Sequence, residues 1–295
     1  VSTRSFGPAD LGDWPNAHAS RFVRASGLDW HVQLMGSGPI MLLVHGTGAA
    51  THSWRDLMPA LAADFTVVAP DLPGHGFTTA PPSHRLSLPG MSRDLADLLA
   101  KLGMAPAMAV GHSAGAAIAC RMSLDGDLPA RALVSLNGAM LPLAGAPGQV
   151  FAPLARLLVG LPLLPNLFAW RAGDRTVVEK LLASTGSTLD TRGVDCYARV
   201  VRRPDHAAAA LRMMANWNLG PLVADLPRLQ PPLLLVAGAS DRTIPPADSA
   251  RLRDMIPGAT LEIMPALGHL AHEEDFAGTA ARIRAYARAT GILPT

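Results

Sequence analysis

The stretch Gly111-His112-Ser113-Ala114-Gly115 limits what this chain can fold into more than any other. It lies between an apolar run at 107–111, which reads as a buried strand, and a helix-forming segment at 114–124. A serine on so short a strand-to-helix turn takes a strained backbone conformation. Only small residues two before and two after it let the strand and the helix approach closely enough. Gly111 and Gly115 supply that room. The helix starting here also directs its positive end at the serine, where negative charge develops during acyl transfer. Alone, the pattern also describes an ordinary turn in a chain with 27 glycines, so its meaning depends on the elements around it.

Those elements alternate. Residues 20–27 and 28–35 alternate partly and are closed by Gly36-Ser37-Gly38-Pro39, which predicts an N-terminal antiparallel pair. Ile40 to Val44 is the continuous apolar run of a strand buried on both faces. A helix over 53–63 follows, then a strand at 65–70, a helix at 92–102, the strand and helix around Ser113, and a strand at 131–136. From about 140 to 220 the chain is helical or irregular, before strands at 232–237 and 260–264 and a closing helix over 276–290. Strands separated by helices imply an α/β fold with a parallel sheet covered on both faces. The break divides the chain into a core of 1–139 and 221–295 and an inserted helical cap, or lid, at 140–220.

A serine hydroxyl is a weak nucleophile without a base, and the base needs an orienting carboxylate. Asp241 follows the strand at 232–237, and His269 follows the strand at 260–264. Ser113, Asp241 and His269 each stand just past the carboxyl end of a strand, so one edge of the sheet gathers all three as a candidate catalytic triad. Asn137 ends the strand at 131–136, where another acid could have sat; an amide cannot take that role. The loop His45-Gly46-Thr47-Gly48 follows the first central strand and suits backbone N–H groups aimed into a cavity. The expected oxyanion donors are the N–H groups of Thr47 and Ala114. The cap holds Phe151, Phe168, Trp170, Met213, Met214 and Trp217. Candidate pocket residues are Phe168, Trp170, Met213, Met214 and Trp217 with His45 and His112, a set that favours apolar cargo, although Met and Trp at helical spacing serve equally as plain core.

Other chemistry fares worse. His269 and His272 stand three apart but form no H-E-x-x-H, so no metal site is expected, and the chain has no Walker A loop or G-x-G-x-x-G for a nucleotide. Lys+Arg 25 against Asp+Glu 23, with no run of like charge, argues against nucleic acid. Cys120 and Cys196 are too few and too far apart for a disulfide framework, which fits a reducing cytoplasm. The N-terminal residues carry no apolar signal region, and no segment approaches the ~18 uninterrupted apolar residues of a membrane span. The expectation is a cytoplasmic protein that is not integral to a membrane. The apolar stretch 151–170 contains Pro153, Pro162 and Pro165 and reads as a pocket lid or as a surface element, which leaves a peripheral membrane contact open.

The set His45-Gly46, Gly111 to Gly115, Asp241 and Gly268-His269, with Asp71-Leu72-Pro73-Gly74-His75-Gly76, resembles the α/β-hydrolase superfamily over essentially the whole chain. The resemblance implies an eight-stranded, mostly parallel sheet flanked by helices, with a helical cap. Serine at 113 sets aside the aspartate-nucleophile dehalogenases and epoxide hydrolases. Longer strings, among them Asp13 to Asn16, Thr51 to Trp54, Met213 to Trp217 and Gly268 to Glu274, are similar to the magnesium-chelatase accessory branch of that superfamily, which belongs to bacteriochlorophyll biosynthesis in phototrophic bacteria. The chain departs from that branch at Ala17, where the pattern has arginine, and at Asn218, where it has aspartate. The expected activity is that of a serine hydrolase needing no cofactor, which cleaves an ester, less readily an amide or thioester, of a bulky apolar molecule. The resemblance implies a tetrapyrrole substrate and magnesium chelatase as a partner. The rival readings are a non-catalytic porphyrin-binding or chelatase accessory protein, and a general carboxylesterase or perhydrolase acting on small substrates.

Overall fold

A computed structural model describes residues 5–142 and 174–295. Phe151, Phe168, Trp170 and the roles assigned to 151–170 lie outside the described residues. Eight strands form one sheet: β1 (Ser20–Ala25), β2 (Leu28–Met35), β3 (Ile40–Val44), β4 (Thr66–Pro70), β5 (Met108–His112), β6 (Ala132–Leu136), β7 (Leu233–Gly238) and β8 (Ala259–Met264). Their order is β1-β2-β4-β3-β5-β6-β7-β8. The β1–β2 and β2–β4 pairs are antiparallel and all the others parallel.

Side chains alternate across a strand, and the core follows that parity. Leu42, Val44, Val68, Ala109, Leu133 and Leu235 pack on one face. Met41, Leu43, Val67, Val110, Val134 and Leu234 pack on the other. Both faces are covered by helices, so β5, β6 and β7 are buried throughout, which is why their sequences are unbroken apolar runs. The edge strands β1 and β8 are mostly half-buried or exposed.

The helices are α1 (Leu57–Leu61), α2 (Leu88–Leu102), α3 (Ala114–Asp125), α4 (Arg175–Ser184), α5 (Thr191–Val201), α6 (Pro204–Ala215), α7 (Gly220–Asp225), α8 (Pro246–Met255), α9 (Ala271–Glu274) and α10 (Phe276–Ala289). The single helix expected over 53–63 is instead a 3-10 turn at Thr51–Trp54 followed by the short α1. Pro59 explains the break: it has no N–H to give to the carbonyl of Arg55, and that carbonyl instead accepts a hydrogen bond from Asn16 Nδ2 at 3.1 Å.

Between β6 and β7 the described residues hold α4 to α7 and no strand. This segment is anchored in three places. Ala209 and Met213 of α6 join the core under the sheet, as do Leu222 and Leu226 at α7. Val178, Leu182, Val194 and Tyr197 pack with Ala49 and Leu270. Val200 packs with Leu11, Trp14, Ala50 and Phe77. No helix among the described residues is long and apolar enough to cross a membrane.

A buried ion pair secures the second anchorage. The Arg55 guanidinium contacts Glu273 Oε2, and both residues are buried. Glu273 Oε1 also accepts hydrogen bonds from Ser53 Oγ at 2.6 Å and from the Tyr197 hydroxyl at 2.8 Å. Burial holds Glu273 above the usual carboxylate range against the pull of Arg55. Glu273→Gln leaves Arg55 only the more exposed carboxylates of Asp56 at 3.2 Å and Asp190 at 3.6 Å, so it is expected to lower stability by about 3 kcal/mol, the low end for breaking a buried pair. Urea unfolding checks this, the midpoint falling while the slope is kept.

Candidate active site

The strand-to-helix turn at Ser113 has the strain its sequence implies. Ser113 sits at φ 51°, ψ −119° as the residue before α3. A Cβ on Gly115 would lie 2.0 Å from the Val44 carbonyl oxygen, and one on Gly111 would lie 2.4 Å from Ala116 N. The turn is held by its backbone: Ser113 N donates to Leu136 O at 3.0 Å, and Ser113 O accepts from Ala116 N and Ala139 N. The Ser113 hydroxyl has no hydrogen-bond partner among the described residues, and the side chain is partly exposed.

Beside this turn, Gly46 closes the Thr47 loop. Its carbonyl accepts from Ala49 N at 3.2 Å and from His45 Nδ1 at 2.8 Å. In a trans peptide the N–H points opposite to the C=O, so the Thr47 N–H is turned to the other side. Neither it nor the Ala114 N–H has a partner among the described residues. A Cβ on Gly46 would lie 2.9 Å from Ser113 Cβ, so this loop abuts the serine itself.

The structure brings His269 and Asp241 together. His269 Nδ1 donates to Asp241 Oδ2 at 2.8 Å. Asp241 is otherwise saturated, Oδ1 accepting from Thr243 N at 2.7 Å and Ile244 N at 2.9 Å, and Oδ2 from Asn137 Nδ2 at 2.7 Å. A carboxylate in this setting only accepts, so it fixes the proton on Nδ1 and leaves Nε2 as the basic nitrogen. No hydrogen bond links Nε2 to Ser113 among the described residues.

Asn137 therefore has a role that the sequence reading set aside. Because β6 lies between β5 and β7, the residue following β6 stands between serine and acid. It has φ 48°, a conformation asparagine tolerates better than most residues.

The turn after α4 was not foreseen either. Thr185 O accepts from Arg242 N at 3.1 Å and His269 N at 3.4 Å, and Ser187 Oγ accepts from Leu270 N at 2.8 Å. Glu274 bonds Gly268 N with one oxygen and Thr188 N with the other. A Cβ on Gly186 would lie 2.0 Å from Ser240 O. This turn is thus wedged between the acid loop and the histidine loop.

The proposed pocket residues separate. Met213 is buried with its sulfur 3.5 Å from Thr47 Oγ1, and Trp217 is half-buried against the core. Met214 is 41% exposed and contributes to the surface instead, because it follows Met213 by about 100° around α6. His45 is wholly buried and both ring nitrogens serve the backbone, Nε2 accepting from Leu72 N at 2.9 Å, so it pins the loop. His112 is buried too, donating from Nε2 to His269 O at 3.0 Å and packing on the His269 and His272 rings.

The family relationship can be read against this geometry. The profile of the alpha/beta hydrolase fold matches residues 39–276. The chain belongs to the α/β-hydrolase fold family. It is 40% identical over 263 residues to the Magnesium-chelatase 30 kDa subunit of Rhodobacter capsulatus, covering 88% of this chain and 92% of that one. It is 28% identical to the 2-hydroxy-6-oxo-2,4-heptadienoate hydrolase of Pseudomonas putida, over 86% of this chain and 91% of the relative. An alpha/beta hydrolase fold protein from Burkholderia ambifaria superimposes with a TM-score of 0.77 at 24% identity, covering 90% and 97% of the two chains, and shares the fold.

A second trio in this α/β hydrolase is a structural look-alike. His31 Nδ1 bonds Asp71 Oδ2 at 2.7 Å and its Nε2 bonds Ser20 Oγ at 2.9 Å. Burial works to raise Asp71, but His31, His45 and the Phe77 N–H together outweigh it and hold the carboxyl below the usual range. Among the described residues no cluster of three or more His, Cys, Asp or Glu could hold a metal. Burial pushes Cys120 up to about 12 and Cys196 up to about 11, so neither is a thiolate rival to Ser113.

Of the ten histidines, His31, His45, His52, His75, His112, His206, His269 and His272 are buried. Burial lowers His52 and His75 to about 3. Between pH 6.5 and 3 the unfolded chain binds protons at these sites that the folded chain refuses, so their contribution is complete above pH 6.5 and is lost as pH falls. Each costs about 1.4 kcal/mol per pH unit in that window. Glu273 and Asp94, raised by burial, act in the opposite direction. Urea unfolding at pH 7, 6, 5 and 4 is expected to show stability falling at every step, and His52→Phe is expected to flatten the slope.

Proposed function

We propose that this chain is a serine hydrolase acting on a carboxylic ester, with Ser113 as nucleophile, His269 as general base and then acid, and Asp241 orienting the imidazole. The observation that carries the reading is the hydroxyl of Ser113, held on a strained turn next to two N–H groups, all three without a hydrogen-bond partner among the described residues, with a carboxylate-fixed histidine on the neighbouring loop. Ser113 Oγ adds to the ester carbonyl while His269 Nε2 takes its proton, and the oxyanion is received by the N–H groups of Thr47 and Ala114. Collapse expels the alcohol, which receives that proton from His269. Water then attacks the acyl-serine by the same route, releasing the acid and restoring Ser113.

The substrate class follows from the relatives and from the loop. A buried methionine at Thr47 gives the carbonyl an apolar neighbour. Identity of 40% to a magnesium-chelatase subunit favours a tetrapyrrole ester. The same identity favours a second reading, in which the fold binds a porphyrin or the chelatase without turnover. Ser113→Ala separates them, since an accessory role survives the substitution and hydrolysis does not.

Intact-mass measurement after exposure to an alkyl fluorophosphonate tests the chemistry. A single adduct is expected on the wild type and on Ser20→Ala, and none on Ser113→Ala. No adduct on the wild type, or one that survives Ser113→Ala, rejects the reading. With a hydrolysed ester in hand, Asp241→Asn is expected to lower kcat by roughly 10⁴-fold, because the amide no longer holds the imidazole in the required tautomer.

A further inference from the structure

One face of α6 grips the turn that carries Thr47. His206 and Met213 are seven residues apart, two helical turns, and so share that face. The His206 ring is 1% exposed, with Nε2 at 3.0 Å from Gly48 O and Nδ1 at 3.1 Å from Gly76 N. A backbone N–H can only donate, so Nδ1 accepts and the single ring proton lies on Nε2, donated to Gly48 O. Burial, with His75 beside it, holds the ring well below the usual histidine range, so this neutral form persists. Met213 Sδ receives the Thr47 hydroxyl at 3.5 Å. Between them, Ala209 packs on the turn at Gly74, where a Cβ would lie 2.5 Å from the Ala209 methyl.

The Gly46–Ala49 turn is thus held at one end by His45, through the Gly46 carbonyl, and at the other by His206, through the Gly48 carbonyl. Gly48 has φ +77°, and without side-chain packing of its own it relies on such contacts. We infer that His206 is a positioning residue for the oxyanion hole: its Nε2–H bond to Gly48 O, aided by Met213 at Thr47, fixes the turn that presents the Thr47 N–H to the carbonyl attacked by Ser113. The inference rests on the proposed hydrolase reading. It makes the helix between β6 and β7 part of the catalytic apparatus, since activity then requires α6 to be docked.

Two amides that each reproduce half of the ring decide the matter. His206→Gln places an amide nitrogen where Nε2 was, keeping the donor to Gly48 O and losing the acceptor for Gly76 N–H. His206→Asn places an amide oxygen where Nδ1 was, keeping that acceptor and losing the donor. The readouts are the second-order rate of alkyl fluorophosphonate labelling at Ser113, and kcat and KM on a 4-nitrophenyl ester, with near-ultraviolet circular dichroism to confirm folding. Losing one oxyanion donor outright costs about 10²–10³-fold, so a misplaced one is expected to cost about 10–100-fold in labelling rate and kcat in His206→Asn, with KM within about 3-fold. His206→Gln is expected to stay within about 3-fold of wild type. Equal rates in the two variants, whether both high or both low, overturn the inference while leaving the hydrolase reading intact if the wild type labels at Ser113. A wild type that does not label at Ser113 overturns both. His206→Ala, if it folds, is expected to match His206→Asn, and wild-type activity in it overturns the inference.

Discussion

The close approach of α3 to β3, with no side chain between them, is the constraint on which the site depends. Gly115 brings the first turn of the helix against the carbonyls of Val44 and His45, where a single methyl group would collide at 2.0 Å and 2.7 Å. That contact puts the start of α3 beside the Thr47 loop, since the loop begins where β3 ends. It also forces Ser113 into its positive φ, because the chain has to reverse from β5 into α3 within one residue. Ser113, the helix N-terminus and the loop N–H groups are therefore brought together by one steric fact, the absence of two β-carbons at 111 and 115. Strain of this kind costs of order 1–3 kcal/mol and persists only where the surroundings enforce it. Here the backbone bonds from Leu136 and Ala139 do so.

The other half of the site is built by sheet order rather than by sterics. β5, β6, β7 and β8 are consecutive neighbours, so their carboxyl ends present Ser113, Asn137, Asp241 and His269 in a row. The row is tied together crosswise. Asn137 Nδ2 reaches both Asp241 Oδ2 and, at 3.3 Å, the Gly268 carbonyl, and the turn at Thr185–Thr188 bonds the backbone of both outer loops. Each loop alone would have several accessible conformations. Bonds between loops remove that freedom, which on the proposed reading preorganises the site.

What was legible in the sequence was whatever local chemistry dictates. Apolar runs bounded by turn residues located every strand among the described residues to within a residue or two, and Gly-x-Ser-x-Gly marked a place where a strand and a helix must approach closely. What was not legible depends on partners far along the chain. Pro59 shows the local side of the failure: the spacing of Trp54, Leu57, Met58 and Leu61 suits a helix, and the missing N–H that breaks it was outvoted by periodicity. Asn137 shows the distant side, since its role exists only because β6 lies between two strands whose ends carry the serine and the acid. Met213 and Met214 were equivalent in composition, and only the phase of α6 against the Thr47 loop distinguishes them. His45 could be read from the sequence only as a neighbour of the candidate site, and its bonds to Gly46 O and Leu72 N become visible only in the fold.

The two Ser-His-Asp trios show why proximity of the three residues is insufficient. In the Ser20, His31, Asp71 set both hydrogen bonds are formed, the histidine and aspartate are fully buried, and the serine lies on the regular edge strand β1 with an ordinary extended backbone. Asp71 there also accepts from Thr51 N and Phe77 N, so the set knits β1, β2 and two loops into the core. It offers no turn that projects the serine and no helix N-terminus aimed at it. Ser20 N is itself spent on Ala17 O, which removes the donor nearest any oxyanion. Ser113 has the opposite profile: a strained turn, with a hydroxyl and neighbouring N–H groups that have no partner among the described residues. An unpaired donor in a partly buried place is costly in the resting protein, and that cost is recovered only when an acceptor arrives. A developing oxyanion is such an acceptor, so on the proposed reading the groups left unsatisfied among the described residues, rather than the satisfied ones, mark the candidate site.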